Sequence, residues 1–172
     1  TALNQSRKAL TEKGKEEAIR IIEATELKND RVLVVYLPDC HESLAGIIAG
    51  RIREKYHRPA FVLTGGETSA KGSGRSIESY SMYEELVKCA DLMIQFGGHP
   101  MAAGLSIEEK NIEEFRRRLN VNCTLTDEEL RPKIVIDVPM PVSYITKELV
   151  EQISLLEPFG KGNTKPVKSE AK

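Results

Sequence analysis

The sequence predicts an α/β fold: a mixed, largely parallel sheet flanked by helices, with a helix ahead of it and a strand–helix extension behind. Three observations carry this. Arg31-Val32-Leu33-Val34-Val35-Tyr36-Leu37 and Ala60-Phe61-Val62-Leu63-Thr64 are β-branched apolar runs of strand length. Between them, from about Leu44 to Tyr56, lies a helical segment whose small residues Ala45, Gly46, Ala49 and Gly50 allow a neighbouring element to come close. Short connections on both sides make this strand–helix–strand order a βαβ unit, in which the two strands run parallel.

The remaining elements follow in order. Residues 5–24 read as a helix with an apolar face of Ala9, Leu10, Ala18, Ile19, Ile21 and Ile22, weakened in the middle by Gly14. Asn29-Asp30 marks a turn before the first strand. Pro59 ends the second helix, with His57 as its terminal residue, and Gly65-Gly66-Glu67-Thr68 forms a turn after the second strand. Lys71-Gly72-Ser73-Gly74-Arg75-Ser76-Ile77 fits either a short strand or a glycine-rich loop. A helix is predicted from Ser81 to Cys89, an apolar stretch from Asp91 to Phe96, and a short strand at Leu105-Ser106-Ile107. Residues 111–119 form a helix whose Arg116-Arg117-Arg118 end suits the negative C-terminal dipole. Residues 120–132 are a polar link, 133–138 a strand and 146–156 an amphipathic helix, followed by a charged tail. The domain division expected is 1–24, 25–122 and 123–172.

Bulk composition excludes several function classes. The chain has 172 residues, 40% of them hydrophobic and 30% charged, as a globular domain does. No apolar run approaches a membrane span and no signal peptide is visible, so a cytoplasmic protein without membrane contact is expected. A net charge of −1 argues against holding nucleic acid by bulk positive field and leaves room for a few placed phosphate contacts. Tryptophan is absent and aromatics make up 5%, which disfavours a base-stacking platform. Cys40, Cys89 and Cys123 are widely spaced with no C-x-x-C, so reduced structural cysteines are expected rather than a zinc site or a disulfide framework.

Three polar segments at element ends are candidates for function. Phe96-Gly97-Gly98-His99-Pro100-Met101-Ala102-Ala103-Gly104 is the most specialised. Gly97 and Gly98 leave space, and Pro100 suits a first helical position, which would place His99 at an anion-friendly helix N-terminus. In Lys71-Gly72-Ser73-Gly74-Arg75-Ser76, glycines expose N–H groups, Ser73 and Ser76 donate hydroxyls, and Arg75 matches phosphate oxygens with two prongs. The segment lacks the G-K-[ST] ending of a Walker loop, and a flexible hairpin turn explains it equally well. In His41-Glu42-Ser43, Ser43 reads as a helix cap and His41 as a solvated loop residue. The carboxylates Asp39, Asp91 and Asp137 are scattered, so no metal cluster is expected within the chain.

These motifs, in order, give the chain a resemblance. His41-Glu42-Ser43-Leu44-Ala45-Gly46-Ile47-Ile48-Ala49-Gly50-Arg51, Lys55-Tyr56-His57-Arg58-Pro59, Gly72-Ser73-Gly74-Arg75-Ser76-Ile77, Phe96-Gly97-Gly98-His99 with Ala102-Ala103-Gly104, and Leu156-Glu157-Pro158-Phe159-Gly160-Lys161-Gly162-Asn163 resemble the DHH-associated domain of the RecJ family. That family comprises single-strand-specific 5′→3′ DNA exonucleases within the DHH phosphoesterase superfamily. Leu3-Asn4-Gln5-Ser6-Arg7-Lys8 resembles the helix joining the family's two core domains.

The resemblance implies the following expectations. The intact parent hydrolyses phosphodiester bonds with Mn2+ or Mg2+ held by an N-terminal Asp-His-His domain. This chain has no such triplet and is read as an excised, inactive fragment ending near the start of an oligonucleotide-binding fold. Single-stranded DNA is the implied partner, with single-strand-binding protein and a helicase as partners of the parent. His99 is implied at the scissile phosphate, with Ser73, Gly74, Arg75, Ser76, Gly97, Gly98 and His41 holding the substrate. Two alternatives stand beside this: a phosphodiesterase for short oligonucleotides or cyclic dinucleotides, and a non-catalytic nucleic-acid-binding module.

Overall fold

The computed structural model describes residues 2–133, 136–160 and 162–169. The chain divides into two compact units, Thr1–Arg131 and Pro132–Lys172. The first carries a five-stranded sheet with helices on both faces. Its elements are α1 (Ala2–Ala24), β1 (Leu33–Leu37), α2 (Glu42–Tyr56), β2 (Ala60–Thr64), β3 (Ala70–Arg75), α3 (Met82–Val87), β4 (Met93–His99), β5 (Ala102–Ile107) and α4 (Ile112–Val121). Strand order is β1-β2-β3-β5-β4.

The βαβ unit forms as its apolar runs require: β1 and β2 are parallel, with Leu33 opposite Ala60 and Leu37 opposite Thr64. The sheet is mixed, but the expectation that it is largely parallel is corrected. β2–β3, β3–β5 and β4–β5 are all antiparallel. The reason is chain length. Residues 65–69 are too few for the parallel crossover of a dozen or more residues, and β4 turns into β5 through Pro100 and Met101 alone. The uncertain segment at 70–75 is therefore a central strand, not a loop.

Each face of the sheet has its own core. On one face α1 and α2 bury Ala18, Ile22, Leu44, Ile48 and Ile52 against Leu33, Val35 and Val62. Helix α1, read from sequence as a linker, thus also packs on the sheet. On the other face α3 and α4 bury Met82, Leu86, Phe115 and Leu119 against Val34, Phe61, Leu63 and Leu105. Phe61 and Phe115 meet edge to face, 5.4 Å between ring centres. Gly72 and Gly74 of β3 face this core. A Cβ on Gly74 would stand 2.6 Å from both Met82 Sδ and Phe61 Cε1, so the large neighbours fill the space that a side chain would need.

Helix ends and edges are closed by side chains. His41, not Ser43, caps α2: its Nδ1 accepts from the Ser43 backbone N–H at 3.2 Å. His57 ends α2 in the left-handed conformation, φ 49°. The three arginines of α4 are engaged in ion pairs instead of facing a bare dipole. Arg116 grips Asp30 at 2.6 and 3.2 Å, Arg117 pairs with Glu114, and Arg118 with Glu114 and Asp91. Hydrogen bonds from Arg117 and Arg118 hold the Glu114 carboxyl down at about 2. Residues 123–131, expected to begin an extension, fold with the first unit, where Leu125 is buried and Leu130 packs on the core.

The second unit contains α5 (Lys147–Ser154), capped by Thr146, and a two-residue parallel pair of β6 (Val138–Pro139) with β7 (Lys168–Ser169). The strand expected at 133–138 includes positions 134 and 135, which lie outside the described residues. Among the described residues no helix is long and apolar enough to cross a membrane.

Asn120 ties α4 to the edge strand β1. Its carboxamide accepts from the N–H groups of Arg31 (2.9 Å) and Val32 (3.0 Å) and donates to the Val32 carbonyl (2.9 Å). Asn120→Ala leaves these partly buried groups unpaired, with an expected loss of about 2–3 kcal/mol. Urea denaturation checks this through a lower midpoint at unchanged slope; an unchanged midpoint contradicts it.

Candidate functional site

The α1–α2 face of the sheet changes character halfway across. Pairing fixes three rows that run over all five strands: Leu37-Thr64-Lys71-Ser106-Gln95, Val35-Val62-Ser73-Gly104-Gly97 and Leu33-Ala60-Arg75-Ala102-His99. The first two positions of each row are buried, those of β1 under α1 and those of β2 under α2. The last three form a polar tile on β3, β5 and β4; α2 packs along β3 on this face, and β5 and β4 lie beyond it. Alternation makes this possible, because β3 turns Gly72 and Gly74 to the core and Lys71, Ser73 and Arg75 to the tile.

The Lys71 and Ser73 rows of the tile line an open concavity of about 480 Å³, walled on one side by the first turns of α2 at Glu42, Ser43 and Ala45, and the Arg75–His99 row lies outside it. On the other side β4 is the sheet edge. Lys71 Nζ donates to Ser106 Oγ at 2.9 Å. Arg75 Nη1 donates to the Gly74 carbonyl at 2.8 Å, which uses one of its five N–H bonds. Neither cation makes an ion pair among the described residues. The acid on the rim is Glu42.

The floor is bare. A Cβ on Gly97 would meet nothing within 4 Å, and one on Gly104 only the Gly72 carbonyl at 3.8 Å. Neither glycine is needed for packing within the chain. Their absence of side chain leaves two strands of backbone open to something that lies on the tile.

His99 is corrected in its setting. It stands at the end of β4 on a two-residue hairpin turn, with no helix starting at Pro100. Its Nδ1 accepts the Met101 N–H at 3.3 Å, which leaves Nε2 as the donor nitrogen of a neutral ring. The turn is anchored from behind: the Pro100 carbonyl accepts from Met82 N and the Met101 carbonyl from Ser76 N, both at 2.9 Å.

Three predicted contacts prove structural. Ser76 is 1% exposed, and its hydroxyl donates to the Tyr80 carbonyl, so it steadies the His99 turn and cannot reach a phosphate. Gly74 faces the core. Gly98 has φ +151°, and a Cβ there would stand 2.4 Å from the Ala102 carbonyl oxygen, so the hairpin itself requires glycine. The structure brings together Ser73, Arg75, Gly97 and His99. His41 is apart from His99: it borders a separate surface pocket with Lys71, beside the opposite row of the tile.

The sequence analysis includes Lys71 and Gly104 in its candidate segments without giving them a role, and it misses Gln95 and Ser106. The signal was present in β3, where Lys71, Ser73 and Arg75 alternate with glycines at the period of a strand.

Comparison with known proteins decides the family. The DHHA1 domain model matches residues 29–124, more than half of the chain. The chain belongs to the DHHA1 domain family. A RecJ OB domain model matches residues 136–170 in the second unit. The single-stranded-DNA-specific exonuclease RecJ of Bacillus subtilis is 36% identical over 95% of this chain, and that of Escherichia coli 35% over 96%. The chain spans 21% and 30% of those two relatives. Crystal structures of Thermus thermophilus RecJ with Mg2+ and with Mn2+ superpose with TM-scores of 0.75 and 0.74, at 27% and 28% identity. Each covers 96% of this chain, which spans 25% and 24% of theirs. The tile thus lies on the DHHA1 sheet.

The two adjacent glycines of this DHHA1 hairpin separate packing from site. Gly98→Ala is expected to cost about 3 kcal/mol or more, while Gly97→Ala is neutral or stabilising by up to about 1 kcal/mol. Thermal denaturation of both variants checks this; equal losses would contradict the assignment.

Proposed function

We propose that this chain supplies the DNA-holding face of a RecJ-like, single-strand-specific 5′→3′ exonuclease, and that the tile binds consecutive phosphates. The observation that supports this best is the juxtaposition of Lys71, Ser73 and Arg75 along one strand with the bare floor of Gly97 and Gly104. Arg75 offers a planar fork to phosphate oxygens, Ser73 a hydroxyl donor and Lys71 a point charge. Exposed backbone lets the strand lie close. Such contacts position a strand and do not read its bases, as a nuclease indifferent to sequence requires. The open β4 edge suits a continuing strand better than a dinucleotide.

His99 has the role of a donor at the reacting phosphate. With Nδ1 held by the Met101 N–H, Nε2–H is the remaining donor of this exposed ring, and a phosphoryl oxygen at the end of the Arg75 row could accept it. His41 is at most an outlying contact.

The residues here do not fit a divalent metal. Among the described residues no group of three or more His, Cys, Asp or Glu side chains could hold one, and the tile carries cations where hard metal ions need carboxylates. In this proposal Mg2+ or Mn2+ belongs to another part of the intact protein, and this chain alone does not cleave DNA. The same proposal places the intact protein in the cytoplasm, on strands opened by a helicase and coated by single-strand-binding protein.

Binding of a single-stranded oligonucleotide across a salt series tests the tile. Lys71→Ala and Arg75→Ala should each weaken affinity and reduce the slope of log K against log salt by about 0.7, one phosphate apiece. An unchanged slope removes that residue from the track. In the intact protein, His99→Ala should lower turnover by about 100-fold while affinity changes only a few-fold; unaltered turnover excludes it.

A further inference from the structure

The guanidinium of Arg75 is held from two sides. Beneath it is the Gly74 carbonyl, which accepts from Nη1 at 2.8 Å. Above it is α2, at Gly46. A Cβ on Gly46 would stand 2.7 Å from Arg75 Nη2, 3.4 Å from its Cζ and 3.6 Å from Ser73 Oγ. The first distance is too short for carbon and nitrogen to share, so any side chain at position 46 displaces the guanidinium.

Helix α2 has a reason to carry alanine there. Glycine is the least favourable helix-interior residue after proline. Gly50 lies one turn further along the same helix stripe, and a Cβ there would meet nothing within 4 Å. The two glycines weaken the helix alike, but only Gly46 has a neighbour that needs the space. That neighbour is the mobile end of a surface side chain, not backbone and not core. The fold would accept alanine at position 46 by letting Arg75 swing away; the tile would not.

We propose that Gly46 is a positioning residue of the phosphate track: its missing Cβ is the seat of the Arg75 guanidinium. Gly46 touches no ligand and acts through Arg75 alone. The ligand part of this inference rests on the reading of the tile as a nucleic-acid site; the seat itself does not.

Four forms of the full 172-residue chain test it: Gly46→Ala, Gly50→Ala, Arg75→Ala and the double variant that combines Gly46→Ala with Arg75→Ala. Gly50→Ala should raise the melting temperature by about 2–4 °C and leave binding of a single-stranded oligonucleotide unchanged. Gly46→Ala should not lower the melting temperature, yet should weaken binding about tenfold. In the Arg75→Ala background the same substitution should have no effect on binding, because the group it displaces is gone. A ligand-free readout accompanies this: the Arg75 Nε–Hε NMR signal should move in Gly46→Ala and stay in Gly50→Ala.

Additive losses in the double variant, a melting temperature lowered by Gly46→Ala, or an unmoved Arg75 signal would each overturn the seat. A wild-type chain that binds no oligonucleotide, together with a moved Arg75 signal, would leave the seat standing and overturn the reading of the tile.

Discussion

The alternation of β3 is the constraint on which the rest of this structure depends. Its inward positions after Ala70 are the glycines Gly72 and Gly74, because Phe61, Leu63, Leu105 and Met82 occupy the space where side chains would stand. Its outward positions are Lys71, Ser73 and Arg75, in a strand flanked on both sides by hydrogen-bonded partners. A slip of one residue would turn the cations into the Phe61–Phe115 core and the glycines to solvent. Register and site are therefore a single choice. Helices α1 and α2 complete it: α1 packs on β1 and α2 on β2 and β3, so that one sheet face is core on one half and polar floor on the other.

The loops serve that floor from behind. Ser76 and Met82 hold the carbonyls of the His99 turn, and Gly98 allows β4 to close on β5 within two residues. Far from the tile, Asn120 and the Arg116–Asp30 pair fasten α4 to the first strand and keep the opposite layer in place. The polar groups near His99 thus divide into those that face outward and those that hold the outward ones still. Sequence motifs mix the two kinds, since Ser73 and Ser76 read alike in a row of small residues yet stand on opposite sides of this division.

That mixing explains what was legible in the sequence. The βαβ unit was, because Arg31–Leu37 and Ala60–Thr64 are long apolar runs with no competing reading. His99 and Arg75 stand out in the sequence as residue types that suit phosphate, but only strand pairing shows that they share one row of the sheet. The hairpin was not: Pro100 serves equally at the first position of a helix and in a tight turn, and only the pairing of Gly97 with Gly104 decides. The direction of β3 was obscured by its glycines, which carry no apolar pattern when the core comes from neighbours. Gly46 was read as general helix packing, since its specific neighbour is 29 positions further along the chain.

Homology to RecJ and the DHHA1 fold give the tile its context, and the geometry gives it chemistry. The central claim is that the β3-β5-β4 face is where a nucleic-acid strand lies. Titrating a single-stranded oligonucleotide into the 15N-labelled chain tests it most directly. The account predicts amide shifts concentrated at Lys71, Ser73, Arg75, Gly97 and Gly104, with the α4 face silent. Shifts confined to α4, with the tile unmoved, would contradict it.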